Sequence, residues 1–179
     1  MDRRKAIRNV LLGSAGMTAL PSWANGWSAN GITISHWLTA DNEETLRAVA
    51  DTLIPPGNAI GALDVGVDRF MMKLFAECYE TDIQNGIEGL LSTIDKSAIT
   101  IHGTGFATCG QEQRQQLIEA IAVSENESVR DSYDLFKREC IRGFRTSKEV
   151  MTQYLNYKVA PGHYIGCVDV KETNESGDN

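Results

Sequence analysis

Three histidines, four cysteines and one pair of aspartates a helical turn apart are the residues of this 179-residue chain whose types and spacing could do chemistry. His36, His102 and His163 are far apart, and none has a second His or a Glu at the spacing that a helix-borne zinc site needs. Cys78, Cys109, Cys140 and Cys167 follow one another at intervals of 31, 31 and 27 residues. That excludes the Cys-x-x-Cys-His of haem c and the close grouping of an iron–sulfur cluster. In "GTGFAT", Gly103 and Gly105 fit a dinucleotide fingerprint, but Thr108 fills the third place and the flanks read as helix where a strand is required. Asp64 and Asp68 would share a helix face and could do acid–base work. A helix cap at Asp64, with Asp68 facing Lys73 or Arg69, accounts for them more simply. No Gly-x-Ser-x-Gly elbow and no local Cys/His pair is present. The chain is expected to carry no catalytic, cofactor or metal site of its own.

The elements that position these residues read as helices. Asp41 with Glu44 forms a capping box, followed by the apolar stripe Leu46, Val49, Ala50, Leu53 and Ile54 at 3.6-residue spacing. Pro55 and Pro56 stop this helix, Gly57-Asn58 is turn chemistry, and Gly61 adds a flexible point. A second helix, capped by Asp64, carries Val67, Phe70, Met71, Leu74, Phe75, Cys78 and Tyr79. A third is expected over residues 82–99, with Ile83, Ile87, Leu90, Leu91, Ile94 and Ala98 on one face, and the loop "IHGTGFATCG" after it. A fourth spans 111–124, with Leu117, Ile118 and Ile121 inward, and a fifth spans 127–144 through Val129, Tyr133, Phe136, Cys140 and Phe144. Thr146 and Glu149 open a short sixth, and "YLNYKVAPGHYIGCVDV" should be extended. The fold class is all-α: a compact bundle of five to six helices with an extended C-terminal arm.

The N-terminus stands apart. Arg3, Arg4, Lys5 and Arg8 precede a mildly apolar run over residues 10–20, and Ser22 with Ala24 gives the small-x-small pattern of a signal-peptidase site. Eleven residues are too few for a bilayer, which needs roughly 20, so an export signal is expected over 1–24 and a permanent anchor is not. "DRRKAIR" is similar to the twin-arginine signal: Arg3 and Arg4 match its pair, Ile7 its apolar position and Arg8 its final base. Asp2 and Ala6 depart from it, leaving an ordinary secretory signal open. The twin-arginine route carries folded proteins, often with cofactors in place, so such a chain should hold a cofactor or travel with a partner that does.

Cleavage after Ala24 leaves 155 residues with 13 basic and 23 acidic side chains, a net charge of −10. That is enough chain for one domain with a real core, expected over 25–170, before a polar tail over 171–179 that reads as disordered. So acidic a body is poorly suited to phosphate backbones or anionic lipid, which excludes nucleic acid as a partner and leaves membrane association to partners. In an oxidising periplasm one or two disulfides fit the four cysteines, which allow three pairings. Cys78 and Cys140, on apolar stripes, equally suit small buried side chains.

With its arginine-pair leader, "ADTLIPPGNAIGALDVGVDRFMMKLFAECYE" and the later "YLNYKVAPGHYIGCV", the chain resembles the gluconate 2-dehydrogenase subunit 3 family. These are small subunits of periplasmic, membrane-associated dehydrogenases. The likeness is closest over residues 46–75, looser over 89–118, and returns at Pro161-Gly162. It implies a non-catalytic subunit that supports export, maturation or stability of a flavoprotein large subunit. That partner would bind FAD and oxidise an alcohol group on a sugar or sugar acid, with a cytochrome c subunit as a further partner. The elbow Pro55, Pro56, Gly57 and Asn58 is then expected to present the partner interface, with the arm over 154–167, including Pro161 and Gly162, as a second contact. A bridge from Cys167 could clip the arm to the body. A free-standing periplasmic chaperone or adaptor is the alternative, and an independent oxidoreductase would have to retain flavin or metal.

Overall fold

A computed structural model of the chain describes residues 36–158. Five α-helices follow in order: α1 (Ala40–Leu53), α2 (Val67–Cys78), α3 (Thr81–His102), α4 (Gln111–Ala122) and α5 (Glu127–Thr146). Single 3-10 turns at Leu63–Val65 and Phe106–Thr108 interrupt the connections, and a π-helical turn at Val150–Tyr154 follows α5. Among the described residues there is no strand, and the fold is all-α, as the apolar periodicity predicts.

The helices form where expected because each carries one apolar stripe, and the stripes meet. Leu46, Val49, Met71, Phe75, Leu91 and Phe136 are fully buried at the centre. Phe75 is the hub, with its ring 6.2 Å from Trp37, 5.0 Å from Tyr79 and 6.5 Å from Phe136. Burying one such ring contributes about 1.5–3 kcal/mol relative to exposure. The 22-residue α3 packs along α5, while α1 and α4 close one side and α2 lies across α5. Arg114 of α4 reaches Asp51 of α1 at 3.1 Å, tying those two helices together. The α2–α5 crossing depends on Gly143: a methyl group there would stand 2.5 Å from Cδ1 of Phe70.

Several boundaries differ from the sequence reading. The cap of α1 is Thr39, whose extended backbone lets Oγ1 accept the Asn42 N–H at 3.4 Å, while Asp41 lies inside the first turn and complements the helix dipole. The segment read as a loop after the third helix is helical through His102, and its remainder plugs the core with Phe106, whose N–H donates to Asp95 at 2.8 Å. A short sixth helical segment follows over 148–154 as expected, but Thr146 does not cap it. Thr146 is the last residue of α5 and its hydroxyl donates to the Arg142 carbonyl at 2.9 Å. Ser147 makes the switch instead, donating to the Phe144 carbonyl at 2.8 Å and accepting the Val150 N–H at 3.4 Å. Tyr154, expected to be extended, belongs to the π-helical turn, after which Asn156 at φ 50° redirects the chain.

Candidate functional site

The proline elbow is a closed structure. Ile54 ends α1 and its carbonyl accepts the Ala62 N–H at 2.9 Å, so the loop between them returns on itself. Inside it the Gly57 N–H donates to the Ala59 carbonyl at 3.1 Å, and the Gly61 N–H donates to the Asp64 carboxylate at 2.8 Å. Gly61 is buried against the prolines: a Cβ there would lie 2.6 Å from the backbone nitrogen of Pro56. Two expectations are thereby corrected. Gly61 is a point of backbone contact, not of flexibility, and Asp64 fastens the corner where a cap for α2 was expected. The cap position of α2 is Gly66. Asp68 faces Arg47 of α1 at 3.2 Å, so the two aspartates serve separate links across the corner and do not meet as an acid–base pair. Pro55, Pro56, Gly57 and Asn58 are all exposed on the outside of this closed turn.

The other chemistry-bearing residues stay dispersed. His36 pairs with Glu43 at 2.7 Å on the surface, and His102 lies 3.4 Å from the Gln113 amide. Among the described residues no group of three His, Cys, Asp or Glu could hold a metal ion. Cys78 is exposed, Cys109 and Cys140 are buried, and all three are free thiols, so none of the bridges that would join them to one another is formed. Burial pushes the Cys140 thiol up to about 12. Arg3, Arg4, Ala24, Pro161, Gly162, His163 and Cys167 lie outside the described residues.

A second surface escaped the sequence reading. The outer side of α5 carries Lys137, Arg138, Ile141, Arg142 and Arg145 along a groove of about 690 Å³. Met151, from the π-helical turn, and Leu155, just past its end, supply part of its apolar floor. Ile141 is 39% exposed there and Leu155 53%. Two of the cations are anchored from below by Glu139, only 5% exposed. Arg142 approaches its Oε2 at 2.6 Å, an ion pair whose angle makes no hydrogen bond, and Arg138 approaches its Oε1 at 3.5 Å. The Arg142 guanidinium also lies 5.9 Å from the Phe70 ring. Desolvation first, and then the Glu139 carboxylate, raise the Tyr79 phenol above its ordinary range, against an opposing pull from Arg142 and Arg138. The readable signal was the spacing of bases at 137, 138, 142 and 145 around Ile141, which places a cationic stripe opposite the apolar one.

Fold and surfaces together define a small helical domain whose distinctive residues face outward, on a proline corner and a cationic groove. The chain belongs to the gluconate 2-dehydrogenase subunit 3 family: the family described as "Gluconate 2-dehydrogenase subunit 3" matches residues 40–162, from the first residue of α1 to beyond the π-helical turn. No curated protein and no solved structure matches the chain. The family name implies a subunit of a dehydrogenase made of several subunits. Among the described residues no helix is long and apolar enough to cross a membrane.

Proposed function

We propose that this chain is the non-catalytic small subunit of a periplasmic FAD-dependent dehydrogenase complex, and that it supports export, maturation or stability of the flavoprotein large subunit. The family match over residues 40–162 carries this reading. The twin-arginine-like leader at Arg3 and Arg4 supports export in a folded state, with the FAD held by the partner. The exposed elbow suits one contact of such a complex. Its shape is set before any partner arrives, so little conformational entropy is lost on docking.

The test is a gentle purification of the tagged full chain from periplasmic and membrane fractions. A stoichiometric companion with a flavin absorption spectrum is the expected result. A colourless protein recovered alone would overturn the reading in favour of the free-standing adaptor. Replacing Pro55 and Pro56 with Ala should lower recovery of the flavoprotein while leaving helical content near normal, and undiminished recovery would remove the elbow from the interface.

A further inference from the structure

We propose that the groove between the outer face of α5 and the π-helical turn is a docking surface for an acidic, amphipathic segment of the flavoprotein large subunit. This rests on the accessory-subunit reading and assigns that subunit a second, chemically different place to bind.

Charge is the first reason. The chain carries a net charge of −7, yet four cations line this one groove against a single rim carboxylate, Asp134. Like charges gathered on one helix face repel, so the cluster costs stability in the free chain. Glu139 offsets part of that cost beneath Arg138 and Arg142. Lys137 and Arg145 have no ion pair among the described residues; the Lys137 ammonium stands 6.0 Å from the centre of the Tyr133 ring. Their charges are available to a carboxylate arriving from outside.

The floor is the second reason. Ile141 and Leu155 lie open between the cations. A ligand that satisfied only the charges would leave these side chains in water, and a purely apolar one would bury the Lys137 ammonium and the Arg145 guanidinium unpaired. A segment with carboxylates flanking apolar anchors meets both demands, as amphipathic helices do in the grooves they occupy. A membrane surface meets them less well, because the patch is concave and the acidic body around it is repelled by anionic headgroups.

The experiment uses the tagged full chain with a photo-crosslinking amino acid at position 141, purified with its flavoprotein from its own cells. It is compared with the same chain carrying K137E/R145E. Both altered side chains are exposed and outside the Glu139 pairs, and K137Q/R145Q serves as a milder second variant. The expected result is a cross-link to a carboxylate-rich peptide of the flavoprotein. Affinity should weaken on the order of tenfold or more for the double reversal, less for the neutral pair, with the difference shrinking as salt rises. Cross-linking confined to this chain or to lipid would overturn the proposal, as would undiminished binding by K137E/R145E. In those cases the flavoprotein still co-purifies with the wild-type chain and the accessory-subunit reading survives. If no flavoprotein accompanies the wild-type chain, that reading fails first and the groove proposal with it.

Discussion

The elbow and the groove solve opposite problems with opposite materials. The elbow's shape is made by backbone: two prolines, a carbonyl that closes the loop and a glycine with no room for a side chain. It presents no charge among Pro55, Pro56, Gly57 and Asn58. The groove is made almost wholly of long side chains on one regular helix, and its character is electrostatic. A backbone-made surface should be rigid and indifferent to salt, whereas a side-chain-made one should adapt and weaken as salt rises.

Gly61→Val should break the elbow outright. With only 2.6 Å to the Pro56 nitrogen the corner must open, at a cost on the order of 3 kcal/mol, read as a lower urea midpoint. A change within the error of the urea titration would mean the corner is not the closed structure described. Gly143→Ala tests the groove's supporting side. The added methyl must displace the Phe70 ring, costing about 1–3 kcal/mol, and combining it with Phe70→Leu should be less than additive. Additive effects would separate the crossing from that ring contact.

Alkali sharpens the comparison, because the groups that burial raises lie on or against α5 and none lies at the elbow. Tyr133 and Cys140 are on α5, and Tyr79 faces Glu139. The Cys140 thiol ionises near 9 when unfolded and near 12 in the fold. Between those values the unfolded chain holds fewer protons, so raising pH favours unfolding, and stability falls by up to about 1.4 kcal/mol per pH unit from this group. Denaturant titrations from pH 8 upward should show that decline, and Cys140→Ala should flatten it. An unchanged slope in Cys140→Ala would assign the alkaline loss to the tyrosines.

Much of the bundle was readable because one stripe per helix is a strong signal: Leu46, Val49 and Ala50, or Leu90, Leu91 and Ile94, could face only inward. What was misread lies at ends and corners, where several residues are chemically able to do one job. Thr39 and Asp41 can each cap a helix, and only the extended backbone at Thr39 decides between them. Gly61 reads as freedom in a string, because its reason, the nearness of Pro56, exists only after the chain has folded back. The elbow was recognisable from its prolines. The groove was overlooked because the polar side of an amphipathic helix is ordinarily solvated, and only the arrival of Met151 and Leu155 beside it makes a concavity.

The free thiols carry a consequence for the order of events in the cell. Once folded, the protein shows an oxidant Cys78 and shields Cys109 and Cys140. A chain that met an oxidising compartment before folding would expose all of its sulfurs at once, and could lock Cys109 to Cys140 in a loop the native bundle does not contain. For a chain exported to such a compartment, the time at which folding is completed, relative to the time at which oxidation begins, would set how much native subunit survives.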